Sequence, residues 1–201
     1  MDDLYEDFFD PSDEFQDEPR YFCYELATEL IDKAKSSPES WYLNENTIKG
    51  ILILLFTWNF AAIETKKLNF KNVGKILQEC EQDLKELESY SIESIDTKIE
   101  EKIKNVFGKF KELMGQTGAS KALSLLNPKL FVMWDTKIRK RLNKELIKGI
   151  NNGETPASYL KFLYGIKDII EKYNIKDKLP QSANVAKKID EYNYVKIIMN
   201  R

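Results

Sequence analysis

Histidine is absent from this sequence of 201 residues, and cysteine occurs only twice, at Cys23 and Cys80. Without an imidazole, the chain cannot use Ser-His-Asp or Cys-His nucleophile activation, and zinc sites that contain histidine are excluded. Two cysteines are too few for a Cys₄ zinc site, an iron–sulfur cluster or a disulfide framework. We therefore expect no metal and no cofactor. Any catalysis has to use carboxylate, lysine, tyrosine, serine or threonine side chains.

The sequence also lacks an apolar run long enough for a membrane span. Its longest run, residues 50–63, is interrupted by Thr57 and Asn59 and falls short of the ~20 residues that a bilayer requires. The run predicts a buried core helix. The acidic N-terminus has neither the basic nor the apolar region of a signal peptide. We therefore expect a cytoplasmic or nucleoid-associated protein that is not secreted and has no membrane partner.

Basic side chains are scarce in the first half of the chain and concentrated in the second, although the net charge is only −2. Residues 1–19 carry −9, residues 20–101 carry −5, and residues 102–201 carry +12. A strongly basic half favours a polyanionic partner such as DNA. The alternative interpretation is a solvated lysine-rich surface.

The acidic segment 1–19 contains no basic residue but four aromatic ones, Tyr5, Phe8, Phe9 and Phe15. Repulsion between its carboxylates disfavours independent folding, so it predicts a flexible acidic N-terminal tail. The aromatic side chains give the tail a means of docking. Its partner is either the basic half of the same chain, where it would compete with nucleic acid, or another protein.

The rest of the sequence has helical periodicity, with no strand pattern and no internal repeat. Helices are expected over about residues 20–36, 47–65, 70–87, 95–115, 119–126, 155–173 and 183–199, with a further basic helix from about residue 135. Asp96 is a predicted N-cap, and Thr155 followed by Pro156 predicts another helix start. The sequence thus predicts an all-α fold: one multi-helix domain over residues 20–201, alternatively divided into two lobes, after the flexible tail.

Residues 110–140 carry the most specific signal in the chain. Two helices are joined by a glycine-containing hairpin, and an apolar stretch then leads to Asp135 at the start of the basic helix. Small residues at Gly115, Gly118 and Ala119 allow backbone amides to face outward at a helix N-terminus. Such amides suit a phosphate group.

These residues resemble the helix–hairpin–helix DNA glycosylase superfamily. Its members carry a hairpin of the form Leu-Pro-Gly-Val-Gly-x-Lys/Ser-x-Ala, an apolar stretch, and Val-Asp-Thr-x-Val-x-Arg. Here residues 114–122 read MGQTGASKA, and residues 133–139 read MWDTKIR. The resemblance implies a helix–hairpin–helix motif at about residues 96–126, DNA as the partner, and Asp135 as a catalytic residue that begins a helix.

The hairpin departs from the family pattern, since two residues rather than one separate its glycines. Anchored on Gly118 and Ala122, the alignment puts Ser120 where Schiff-base-forming members have a lysine. That alignment implies a monofunctional mechanism with Asp135 alone. Shifted by one residue, it puts Lys121 at that position instead, and one residue corresponds to about 100° of rotation around a helix.

The resemblance therefore implies two catalytic candidates, Asp135 and Lys121. The nucleic-acid-binding candidates are Gly115, Gly118, Ala119, Ser120, Lys137, Arg139, Lys140 and Arg141, and the pocket candidates are Trp58, Asn59 and Trp134. Ordinary structural roles are the alternatives: an N-cap for Asp135, a solvated or phosphate-contacting amine for Lys121, and core packing for the tryptophans.

The leading functional prediction is a DNA-binding protein that resembles a base-excision DNA glycosylase and removes a flipped, damaged base by a monofunctional mechanism. The alternative is a non-catalytic nucleic-acid-binding or protein-interaction module on the same helical scaffold. A helical assembly protein without any nucleic-acid role is the third interpretation.

Overall fold

The structure, a computed structural model, describes residues 4–37, 40–58, 67–150 and 155–200, and these ranges contain helices and no strands. Within these ranges lie eight α-helices: α1 (Ser12–Gln16), α2 (Tyr21–Lys35), α3 (Glu45–Trp58), α4 (Phe70–Leu87), α5 (Glu100–Leu126), α6 (Thr136–Glu145), α7 (Pro156–Lys172) and α8 (Val185–Asn193). Short 3₁₀ turns lie at Trp41–Leu43, Ile92–Ser94 and Ile175–Lys178, and a π-helical turn, Tyr194–Met199, continues α8. The all-α prediction is confirmed for this part of the chain. None of its helices combines the length and the apolarity needed to cross a membrane.

Side-chain caps fix several helix starts where the sequence indicates them. The Thr155 side chain accepts a hydrogen bond from the amide of Ser158, and Pro156 occupies the first turn of α7. The Asp135 side chain accepts from the amide of Lys137 at the start of α6. Each cap satisfies an amide that has no partner within its helix. The predicted span of α4 also agrees with the structure.

The start of α5 and the predicted hairpin differ from expectation. Asp96 does not cap this helix, because its carboxylate accepts from the amide of Lys98 in a separate turn that precedes Glu100. Where the sequence predicts a hairpin, α5 continues with non-helical backbone only at Gly115 (φ 71°, ψ 172°). This combination of angles is essentially restricted to glycine. The glycine therefore produces a kink between two helical parts of α5, and Gly118 lies inside the second part.

Buried apolar side chains form one cluster to which all eight helices contribute. The apolar run of the sequence forms α3, whose Ile51, Leu54 and Leu55 are buried. Close packing with α2 depends on Gly50, where an added Cβ would lie 2.9 Å from the carbonyl oxygen of Ala27. The end of α3 lies beside the start of α2, where Nε1 of Trp58 donates to the carbonyl of Arg20 at 3.3 Å.

Leu4–Glu18, called here the N-terminal segment, is packed against the rest of the molecule. Tyr5 and Phe15 are 0% and 3% exposed. The Tyr5 hydroxyl donates to Oδ1 of Asn193, and the Tyr192 hydroxyl donates to the carbonyl of Leu4. Residues 4–18 are therefore docked on the protein and do not form the predicted flexible tail. Burial of its aromatic rings against α8 outweighs the repulsion between its carboxylates.

Candidate functional site

A small, largely enclosed cavity lies where α3, α5, α6 and α8 approach one another, and three predicted site residues line it: Lys121, Asp135 and Trp58. Its other lining residues are Phe15, Met133, Ile138, Asp190, Glu191 and Tyr194. The free space of about 20 Å³ suffices for one water molecule. The cavity thus combines apolar and aromatic walls with one amine and three carboxylates.

Lys121 is buried in this cavity. Its Nζ donates to the carbonyl of Trp58 and lies 5.8 Å from the centroid of the Trp58 ring. Burial lowers the pKa of the amine, while the carboxylates of Asp135 and Asp190 offset part of that effect and Arg20 lowers the pKa further. A lowered pKa enlarges the neutral fraction of the amine, which is the form that acts as a nucleophile.

Asp135 is both a helix cap and a cavity residue. Its Oδ1 accepts from the amide of Lys137 at 2.9 Å, and its side chain is partly buried at the cavity wall. A carboxylate offers two oxygens, each with acceptor capacity. The capping role, which is the ordinary alternative for this residue, is therefore compatible with a role in the cavity.

Asp190 is a cavity carboxylate that the motif does not indicate. It is 4% exposed, and its Oδ1 accepts from the amide of Met133 at 3.2 Å. Burial raises the pKa of Asp190 to about 6, although Lys187 partly offsets this effect. The available sequence signal is its place on α8 one turn after the buried Ala186, which puts a charge on an apolar helix face.

The buried Lys187 ammonium offsets the negative charge of two cavity carboxylates, Asp190 and Glu191. Its Nζ lies 3.7 Å from Oε1 of Glu191 and 3.8 Å from the ring centroid of Tyr24. Burial alone would lower the pKa of Lys187, but Tyr24, Asp190 and Glu191 together raise it. This amine therefore stays protonated, in contrast to Lys121, whose pKa is lowered.

Trp134, a predicted pocket residue, lies instead in the aromatic core. Its ring centroid is 5.9 Å from that of Phe107 and 5.5 Å from that of Tyr159, and the residue is 1% exposed. Met133 and Asp135 line the cavity, whereas Trp134 between them packs away from it. Neighbouring residues of an extended chain point to opposite sides, which explains the difference.

Two predicted phosphate contacts, Ser120 and Arg139, have partners within the protein. Ser120 is buried, and its Oγ accepts from the amide of Trp134 at 2.8 Å. Arg139 is 7% exposed, donates to Oε1 of Gln116 at 2.7 Å, and lies 5.3 Å from the Trp134 ring centroid. These contacts join the second part of α5 to Trp134 and Arg139, which lie on either side of Asp135 in the chain, and so fix the cavity lysine relative to the cavity aspartate.

The other predicted binding residues divide by exposure. Gly118 and Ala119 are buried within α5, so their surroundings are protein atoms. The exposed members of the set are Gly115, Lys137, Lys140 and Arg141. Asn59 lies outside the described residues.

A wider surface groove of about 790 Å³ lies elsewhere, beside the Ile92–Ser94 turn and the start of α8. None of the predicted site residues lines it. Its charged lining residues are Glu93, Lys129, Lys176 and Asp177. Because the two signs are balanced there, this groove does not select a charged ligand, and the cavity at Lys121 remains the candidate site.

The functional assignment depends on the amine, carboxylates and aromatic rings that line this cavity. Comparisons of the chain with protein-family models, with curated proteins and with solved structures found no match.

Proposed function

We propose that this protein binds DNA and excises a damaged base as a base-excision DNA glycosylase, with Lys121 and Asp135 acting at the reacting sugar. The proposal depends on one observation: these two residues line the same enclosed cavity, beside Trp58. A base reaches such a cavity only after it has left the DNA stack, and an aromatic wall suits a flipped base. Lys121 then supplies the nucleophile for the reacting sugar, and Asp135 supplies the carboxylate.

In this reaction the neutral amine of Lys121 attacks C1′ of the deoxyribose, and the bond between C1′ and the base breaks. The base leaves with the bonding electron pair and takes up a proton. The Asp135 carboxylate stabilises the positive charge on the sugar and accepts the proton that the amine loses. The C1′–O4′ bond then breaks, the ring oxygen takes up that proton from Asp135, and the nitrogen lone pair forms the C1′=N⁺ bond of the protonated Schiff base that borohydride reduces. The position of the buried Lys121 amine in the same cavity as Asp135, together with its lowered pKa, supports this mechanism over the monofunctional one, in which Asp135 activates a water molecule.

DNA binding is assigned to the exposed basic side chains that follow Asp135 along α6. Lys137, Lys140 and Arg141 are exposed within the first two turns of the helix that Asp135 caps. Phosphates held there lie next to the cavity. Such contacts strengthen binding to any DNA sequence and position the duplex without reading its bases.

The test is borohydride trapping on duplexes that carry uracil, 8-oxoguanine, an alkylated base or an abasic site. We expect a covalent protein–DNA complex with the wild type, none with Lys121→Gln, and an undiminished one with Lys129→Gln, an exposed lysine just beyond α5. Because the pKa of Lys121 is lowered, the trapping rate should rise with pH and level off below the ordinary lysine value of 10.5.

Asp135→Asn separates the remaining outcomes. If the wild type releases the base without forming a trapped complex, and Asp135→Asn no longer releases it, the monofunctional mechanism is supported. If no lesion is excised while Asp135→Asn binds DNA as the wild type does, the catalytic proposal is wrong, and the non-catalytic nucleic-acid-binding module becomes the better explanation. No binding at low salt would contradict both.

A further inference from the structure

The N-terminal segment closes the candidate cavity. Phe15 lines it, with its ring centroid 5.9 Å from that of Trp58 and 5.6 Å from that of Tyr194. The remaining space holds one water molecule, whereas ordinary ligand pockets measure about 300–1,000 Å³. A nucleobase therefore enters only if these rings move. Of the three rings, that of Phe15 belongs to the shortest element, the five-residue helix α1.

Ion pairs hold the segment on either side of Phe15. Nζ of Lys188 lies 3.1 Å from the carboxylate of Asp10, and Arg20 lies 2.6 Å from that of Glu18. Glu18 also accepts from the Tyr194 hydroxyl at 2.8 Å. Ion pairs with exposed members contribute little stability each, so these two pairs oppose the release of α1 only weakly.

The helix that carries Phe15 is also short. α1 has five residues, Ser12–Gln16, and Pro11 precedes it. Helices of this length are not stable on their own, because few backbone hydrogen bonds offset the cost of nucleation. The position of Phe15 therefore depends on contacts with the rest of the molecule, and loosening those contacts should release α1 as a unit.

The charge of the segment has the same sign as DNA. Residues 1–19 carry −9, and the segment covers a cavity whose neighbouring helix α6 is basic. Two polyanions near the same basic surface repel each other and compete for it. Bound DNA should therefore weaken docking of the segment, and the docked segment should weaken binding of DNA.

We propose that the N-terminal segment is an autoinhibitory element in which Phe15 occupies the place of a flipped base, and that nucleic acid displaces it. This inference rests on the proposed function, since the displacing ligand is the DNA assigned there. It adds regulation of the site. The free protein is closed, and DNA binding opens the path to Lys121.

One test measures closure without DNA. Lys121 is modified with formaldehyde and cyanoborohydride, and its methylation is followed by peptide mass spectrometry. Truncating a buried phenylalanine removes much of its packing, so Phe15→Ala should accelerate methylation about tenfold or more. Phe9→Ala is the matched control, because Phe9 packs against Tyr192 and does not line the cavity. Equal acceleration in both variants, or in neither, would overturn the inference.

A second test uses substitutions that leave the cavity lining intact. Asp10→Asn removes one of the two carboxylate partners of Lys188, which keeps its ion pair with Glu191. Asp13→Asn removes the same charge from an exposed position in α1. We expect Asp10→Asn to tighten binding of a duplex with a tetrahydrofuran abasic analogue about two- to fivefold, and Asp13→Asn to change it less than about twofold. An equal change would reflect net charge alone and would contradict displacement.

Amide exchange of residues 4–18 distinguishes the two proposals. Addition of the same duplex should accelerate exchange in the wild type. Binding without that acceleration would overturn autoinhibition and leave the proposed function intact. Absence of binding by the wild type, Asp10→Asn and Phe15→Ala would instead contradict the proposed function and, with it, the displacing ligand.

Discussion

Gly115 sets the direction in which the second part of α5 leaves the first, and its backbone angles leave no alternative residue. With φ 71° and ψ 172°, a side chain at this position would be strained even though nothing lies within 4 Å of an added Cβ. Gly115→Ala should therefore lower the free energy of unfolding by about 1–3 kcal/mol through backbone strain alone. Chemical denaturation measures the change.

Gly108 in the same helix provides the matched control. It has helical backbone, and an added Cβ would meet only Cγ of Pro156, at the ordinary contact distance of 3.4 Å. Gly108→Ala should raise the free energy of unfolding by about 0.4–1 kcal/mol, because alanine restricts the unfolded chain and favours helix. Similar effects of the two substitutions would contradict the strained kink.

At the residue scale, the sequence indicates the chemistry of the site better than its geometry. Lys121 and Asp135 are candidates in the sequence because they fall in the stretch that resembles the glycosylase pattern. The burial that lowers the pKa of Lys121 depends on Trp58, which is distant in the chain. Asp190 has no motif, and its role follows only from packing of α8 against the stretch before Asp135. Long-range packing of this kind leaves only a weak trace in local sequence.

At the element scale, α6 is the helix whose proposed role in DNA binding can be measured most directly. Each lysine that neutralises a DNA phosphate releases a counterion and steepens the fall of affinity with salt. Lys137→Gln and Lys140→Gln should each weaken DNA binding and reduce the slope of log affinity against log salt by about 1. Fluorescence anisotropy of a labelled duplex, at salt concentrations from about 50 to about 200 mM, measures the slope.

Lys33→Gln on α2 is the matched control, since it removes one exposed lysine from a helix outside the proposed interface. Its salt slope should equal that of the wild type. If all three variants behave alike, the basic charge acts as a general field and α6 is not the contact element.

Helices are predictable from this sequence where a side chain fixes their start. Thr155 and Asp135 cap α7 and α6 as the sequence indicates, because capping is a local interaction between residues two or three apart. Asp96 is also a capping residue, but its local partner lies in an isolated turn. The choice between a turn and a helix start there depends on how the following residues pack, which local pattern does not record.

At the scale of the whole molecule, the N-terminal segment shows where composition misleads. The nine acidic side chains of residues 1–19 predict a flexible tail. The rings of Tyr5 and Phe8 find partners on α8, near the other end of the chain: Tyr192 lies 5.6 Å from the first and 4.6 Å from the second, centroid to centroid. The composition of the segment cannot predict contacts with residues so far away in the sequence.

Deleting residues 1–10 should therefore destabilise the protein, whereas loss of a flexible tail would not. The deletion removes Tyr5 and Phe8, which are 0% and 6% exposed, and uncovers the surface of α8 beneath them. Burial of two such side chains contributes about 3–6 kcal/mol as an upper estimate. For a chain of this size, the melting temperature should fall by about 10 °C.

The double substitution Tyr5→Ala, Phe8→Ala in the full chain should reproduce most of that fall, because it removes the same rings and keeps the charges. Asp13→Asn should leave the melting temperature unchanged, since it alters the charge of the segment at an exposed position. A melting temperature unaffected by the deletion would show that the docked segment contributes nothing to folding. In that case, the aromatic contacts would be too weak to hold Phe15 over the cavity, and closure of the site would fail together with the stability argument.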